Sequence, residues 1–208
     1  MIDAVGLLQA LVKIPSPNLP GDTRTIAAYI SGVMGKAGCD VKVIAPENKP
    51  EAQSVVATLG QGAPVIMLHA HIDTVPIAAT EAQRWSVDPY SGVIQDGKLY
   101  GKGSIDDKAP LAAMMAVILE KSAEYRVLST DGGSKAEWSE TIPYEEPSPL
   151  ASSPLHGEES KTFRGTLVLV AAAEEETGGV LGTKWMAENG HLPMCDFIVV
   201  GEQTFNHV

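Results

Sequence analysis

The sequence predicts an α/β fold. Continuous apolar runs of strand length lie at 63–71, 165–173 and 196–200, two amphipathic helical stretches open the chain, and each apolar run ends in polar, acid-rich residues. Strands buried on both faces of a sheet read as unbroken apolar runs. Open α/β sheets place their ligand sites at the carboxyl ends of such strands.

The elements follow in chain order. Val5, Leu8, Leu11 and Val12 recur at helical spacing, and the helix stops before Ile14-Pro15-Ser16-Pro17, where two prolines force extended backbone. Residues 23–36 form a second amphipathic helix, with Ile26, Ile30, Val33 and Met34 on one side and Gly38 beyond its end. Residues 40–45 and 54–59 read as strands, and Gly60-Gln61-Gly62 turns the chain into the run 63–71. Asp96-Gly97 is a strong two-residue turn and predicts a hairpin over 93–100. Residues 111–119 are helical. Residues 121–161 are rich in Ser, Glu and Pro and carry eight of the 26 acids, so an insertion without a packed core, disordered over about 122–161, is expected. After the run 165–173 come a helix over 180–189, closed by Gly190, and a last buried strand over 196–200.

The chemistry gathers at the strand ends. Residues two apart in a strand share a face, so His69, His71 and Asp73 in VIMLHAHIDTVP project the same way. Imidazole with a nearby carboxylate is the makeup of a metal ligand and its orienting partner, although a satisfied histidine pair has the same pattern. Tyr100-Gly101-Lys102-Gly103-Ser104-Ile105-Asp106-Asp107-Lys108 brings two acids to a helix start on flexible backbone. Its spacing is not that of a phosphate loop, and adjacent aspartates repel phosphate; helix capping accounts for one of the acids. Glu174-Glu175-Glu176 follows the second apolar run, and Gly201-Glu202 follows the third. Three acids at a buried strand end call for a cation unless the turn is solvated. Carboxylates and imidazole without thiolates suit zinc, manganese or cobalt, and a carboxylate able to bridge two ions points to a two-metal hydrolytic site.

Composition sets the limits. The chain has 208 residues, 44% hydrophobic and 20% charged, with a net charge of −11. That balance argues against nucleic acid and anionic membranes as partners. Cys39 and Cys195 read as free thiols of a reducing compartment. No basic-then-apolar leader or membrane-length run is present, so the expected location is cytoplasmic.

HAHIDTVP, GKGSIDDK, EEETGG and GEQT, in this order, resemble the M20 family of metallopeptidases and amidohydrolases, which includes acetylornithine deacetylase and succinyl-diaminopimelate desuccinylase. The motifs span nearly the whole chain, and WSVDPYSGVIQDGKLYGKGSIDDK is most similar to the deacetylase and desuccinylase branch. The resemblance implies a three-layer, zinc-exopeptidase-like catalytic domain with a mixed, mostly parallel central sheet. It implies two zinc ions, with cobalt or manganese as alternatives, and hydrolysis of an amide bond in N-acyl amino acids or small peptides. His71 and Glu202 would bind the first metal, Glu176 the second, and Asp106 would bridge them. Asp73 would orient His71. Glu175 would act as general base on the metal-bridged water and then protonate the leaving amine. The resemblance also implies a cis peptide bond between Asp106 and Asp107.

Lys102, Ala109 and Gln203 stand where the family commonly has Arg, Gly and Pro. The family's lid or dimerisation domain and a last histidine ligand follow the GEQT-like turn, so the chain is expected to be a C-terminally truncated part of the catalytic domain. A homodimer is possible for the full-length protein. A non-catalytic metal-binding remnant or scaffold fragment is the alternative reading.

Overall fold

The computed structural model describes residues 2–129 and 164–203. Helices α1 (Ala4–Val12) and α2 (Arg24–Lys36) lead into strands β1 (Asp40–Ile44), β2 (Ser54–Gly60) and β3 (Val65–His71). A short helix α3 (Ala79–Ala82) and the hairpin β4 (Val93–Gln95) and β5 (Lys98–Tyr100) precede helix α4 (Lys108–Ser129). Strand β6 (Thr166–Ala172), helix α5 (Trp185–Glu188) and strand β7 (Phe197–Val200) complete the described elements. No described helix is long and apolar enough to cross a membrane. No disulfide joins Cys39 and Cys195.

The main sheet has the order β1-β2-β6-β3-β7. Strands β6, β3 and β7 run parallel, while β2 pairs antiparallel with β6 and β1 antiparallel with β2. The mixed sheet follows from the connections. Strands β2 and β3 are joined by a short turn but do not pair; β6 enters between them, buried along its whole length. Alternation along β6 then divides the core in two. Leu167, Leu169 and Ala171 face a cluster with Ile26, Ile30 and Met34 of α2 and Leu111, Met115 and Ile118 of α4. Val168, Val170 and Ala172 face a smaller cluster closed by Met186 of α5. The result is the three-layer α/β/α arrangement that the family resemblance implies.

Three expectations are corrected. Helix α4 does not stop near 119 but continues to Ser129, eight residues into the stretch expected to lack order; the Ser122 hydroxyl donates to the Ala37 carbonyl and ties that turn to the end of α2. The remainder of that stretch, 130–161, falls outside the described residues. The predicted helix over 180–189 is broken: a wide π-type turn covers Val180–Lys184, with non-helical backbone at Gly182, before α5 begins. A Cβ on Gly182 would lie 1.9 Å from the Ala173 carbonyl oxygen, so only glycine lets the chain pass there. Strand β7 is an edge strand, not a buried one; Phe197, Ile198, Val199 and Val200 are 50–63% exposed, because among the described residues it pairs only with β3.

Candidate metal centre

Parallel strands deliver the site. Because β6, β3 and β7 point the same way, their carboxyl ends share one edge of the sheet. His69 pairs with Val200, which sets residue 202 level with His71, and the Gly201 N–H donates to the His69 carbonyl at 2.7 Å. His71 pairs with Ala172, so Glu174–Glu176 lie just past it on the other side. The fourth contributor, Asp106, arrives from the turn before α4. That turn is locked to β3 by the His71 N–H, which donates to Asp107 Oδ2 at 3.0 Å. The Asp106–Asp107 peptide is cis.

His71, Asp106 and Glu202 each place one ligand atom within 4.8 Å of the others. His71, Glu175 and Glu176 form a second such group. His71 Nε2 is 2.8 Å from Asp106 Oδ1 and 3.7 Å from Glu175 Oε2. Asp106 Oδ2 accepts from the Gln203 side-chain amide at 2.8 Å, and Glu176 Oε1 accepts from the Val75 N–H at 2.9 Å. All six residues singled out in the sequence therefore meet at one place. His69 stays apart: it shares its face with Met67 and His71, but its Nε2 lies 2.8 Å from Thr183 Oγ1 in the π-type turn.

Asp73 is fully buried and does more than face His71. The imidazole Nδ1 is 2.9 Å from the carbonyl of Asp73 and 3.5 Å from its carboxylate. The carboxylate oxygens accept instead from the N–H groups of Glu175 at 3.2 Å and Glu176 at 3.1 Å, and from the Asn18 amide at 2.9 Å. One side chain thus holds the acidic turn on β6 against the end of β3.

The charges are strongly coupled. Burial works against the charged form of His71, but Asp73, Asp106 and Asp107 outweigh it and raise its pKa to about 10. Burial pushes Asp107 up to about 7, against the His71 N–H and the His71 charge; its Oδ1 is buried with no hydrogen-bond partner among the described residues. Glu175 and Glu176 are raised by burial and by neighbouring acids, Glu202 and Asp73 among them for Glu175 and Asp106 for Glu176. Burial raises Asp73 as well, but the nearby His71 ring and the hydrogen bond from Asn18 bring it below its ordinary value. Burial and the His71 charge lower His69. A borderline or hard divalent cation fits this donor set: it would replace the crowding of like charges with attraction, through imidazole nitrogen and carboxylate oxygen alone.

Several supporting residues are given no role by the sequence. Lys49 pairs with buried Glu174 at 2.7 Å, and Glu174 itself takes a left-handed conformation at the start of the acidic turn. Lys108, fully buried, donates to the carbonyls of Leu11 and Ile14 at 3.1 and 2.8 Å, and burial lowers its pKa to about 8. It anchors the Asp106 turn to the end of α1. Asn18 had only one sequence signal, a polar residue among prolines between two helices.

Residues 67–128 match the peptidase family M20/M25/M40. The chain is 33% identical over 117 residues to succinyl-diaminopimelate desuccinylase of Methylorubrum extorquens, covering 55% of this chain and 29% of that protein. Over 207 residues it is 27% identical to the desuccinylase of Beijerinckia indica, covering 97% and 43%. Among solved structures, the M20 family metallo-carboxypeptidase Sso-CP2 of Sulfolobus solfataricus shares the fold, with a TM-score of 0.69 at 16% identity over 97% of this chain and 37% of that one. The chain thus spans less than half the length of these relatives.

Proposed function

We propose that this chain, whose residues 67–128 match peptidase family M20/M25/M40, supplies the metal-binding half of a hydrolase that cleaves an amide bond in N-acyl amino acids or small peptides. The observation that carries this reading is the convergence of His71, Asp106 and Glu202 on one point at the ends of parallel strands.

His71, Asp106 and Glu202 would hold one divalent cation, zinc by preference, and Asp106 with Glu176 would contribute to a second. Bound there, the metal polarises an amide carbonyl and lowers the pKa of water. The chain's own groups do the rest. The Asp73 carbonyl accepts from Nδ1–H of His71, which leaves Nε2 as the ligating nitrogen. Glu175 reaches the same point with its side chain 45% exposed, open to water and substrate, and its pKa is raised toward the working range of a general base. It takes a proton from water as the water oxygen bonds to the carbonyl carbon. It then gives that proton to the nitrogen as the C–N bond breaks, leaving a carboxylic acid and an amine. Glu176 is held by the Val75 N–H and faces Asp106, as a ligand rather than a proton carrier.

The test is hydrolysis of a panel of N-acetyl and N-succinyl amino acids and dipeptides by the full-length protein, stripped by chelator and then reloaded with zinc; these 208 residues alone are expected to bind zinc with little or no turnover. Zinc-dependent release of free amine, lost in Glu175→Gln, is the expected result. Hydrolysis unaffected by chelator would contradict the proposal. Zinc binding with no turnover on any member of the panel would favour the non-catalytic, metal-binding alternative.

A further inference from the structure

We propose that Asn18 is a positioning residue that sets both halves of the metal centre through Asp73. This inference rests on the metal-binding reading above and adds to it a residue outside every motif.

Asn18 is delivered with precision. The segment 16–18 zips along the end of β3: the Ser16 hydroxyl donates to the Ile72 carbonyl at 2.6 Å, the Thr74 N–H to the Ser16 carbonyl at 2.9 Å, and the Asn18 N–H to the Thr74 carbonyl at 2.8 Å. Backbone pairing on both sides of Asp73 therefore fixes where the Asn18 side chain starts. Its Nδ2 donates to Asp73 Oδ2 at 2.9 Å and lies 3.4 Å from Thr177 Oγ1, on the acidic turn. One amide group thus touches the strand-end carboxylate and the turn that carries Glu175 and Glu176.

The chemistry of the contact is directional. Asp73 Oδ2 also accepts from the Glu176 N–H, so every group around that oxygen is a donor, and the carboxylate is held in one rotamer. The other end of the Asn18 amide, Oδ1, is buried without a hydrogen-bond partner among the described residues. It faces Gly21, whose positive φ and missing side chain leave room for it: a Cβ there would lie 2.8 Å from Oδ1 and 2.4 Å from Glu174 Oε1. A buried amide with half its capacity unused is a poor stabiliser, because the unpaired acceptor has lost its water. Its value lies in the Nδ2 contact. Without that donor, Asp73 can swing away from the Glu175 and Glu176 N–H groups, and the two glutamates lose their register with His71.

The test uses the complete chain, chelator-stripped and titrated with Co2+, whose visible band reports ligand geometry, alongside circular dichroism and urea unfolding. Wild type, Asn18→Ala and the isosteric Asn18→Asp are compared. Supporting partners of metal ligands change affinity by roughly 10–100-fold, so Asn18→Ala is expected to weaken cobalt about tenfold and to shift the band at saturation. Asn18→Asp is expected to be worse, because it sets a carboxylate against Asp73. A volume-filling role would leave the saturated spectrum unmoved and would make the isosteric acid the better variant; either result overturns the proposal. If one variant fails to fold by circular dichroism, the other decides. Wild type that takes up cobalt while both folded variants match it removes the role of Asn18 alone. Wild type that binds no cobalt removes the metal-binding reading, and this inference with it.

Discussion

Replacing Asp73 with asparagine changes one oxygen to an amide at a position with no exposure to solvent. In the native arrangement the carboxylate accepts from Asn18 Nδ2, Glu175 N and Glu176 N, and lies 3.5 Å from His71 Nδ1. All four neighbours present hydrogen. An asparagine offers one acceptor oxygen, so its NH2 must face either the Glu175 N–H, in place of Oδ1, or both the Asn18 amide and the Glu176 N–H, in place of Oδ2. At least one buried donor then loses its partner, at about 1–3 kcal/mol, and hydrogen bonds to a charged acceptor, worth about 1.5–3 kcal/mol each, become neutral ones. Removal of one member of a buried charged network costs about 3–5 kcal/mol in total. Urea unfolding in excess chelator measures this term without the metal, and zinc competition against a chromophoric chelator measures affinity, expected to fall by roughly 10–100-fold. A variant within about 0.5 kcal/mol of wild type, with unchanged zinc affinity, would refute the role assigned to Asp73.

Further outcomes follow from the same geometry. In the full-length protein, Glu175→Gln should cut turnover by a factor on the order of 100 or more while zinc content, measured by atomic absorption, stays the same; loss of zinc would make Glu175 a ligand. Lys49→Met leaves Glu174, only 4% exposed, without its 2.7 Å partner, and should lower the unfolding free energy by about 3–5 kcal/mol; no change would mean that Glu174 is solvated or protonated. The metal-free protein should lose stability as pH rises from about 6.5 to 8. His71 titrates near 10 in the fold, so its contribution is whole below the unfolded value of 6.5 and drains away above it. The His71 proton alone gives a slope of about 1.4 kcal/mol per pH unit, roughly 2 kcal/mol over that window, and Asp107, pushed up to about 7, adds in the same sense at its lower end. Above pH 8 Lys108, lowered by burial, begins to act in the opposite sense. Saturating zinc, which takes the place of the His71 proton, should abolish the decline; a metal-free protein equally stable at pH 6.5 and 8 in urea titrations would contradict the coupling.

Local chemistry made much of this legible in the sequence. The apolar run of β6, buried at every position, needs no partner to be read as a central strand. The hairpin turns at Asp96 and Gly97, both with positive φ, where the residue pair predicts it. The acids and His71 stand at strand ends, and parallel register carries them to one place. What stayed hidden depends on distant neighbours. Composition makes 196–200 a strand, but only the sheet order shows that it lies exposed on an edge. Helix α4 runs on past 119, where the Ser122 hydroxyl meets a carbonyl 85 residues away. Helical spacing over 180–189 gives no hint of Gly182, where the passing Ala173 carbonyl decides the backbone. Asn18 and Lys49 act across 55 and 125 residues of sequence, on partners that no local pattern names.

The central claim is that His71, Asp106 and Glu202 form a cation site. Anomalous diffraction at the zinc absorption edge, on crystals of the zinc-loaded protein, tests it most directly. The account predicts the strongest anomalous peak between His71 Nε2 and the carboxylates of Asp106 and Glu202, and its loss in His71→Ala. A zinc-loaded crystal with its strongest peak elsewhere, or one that keeps this peak in His71→Ala, would contradict it.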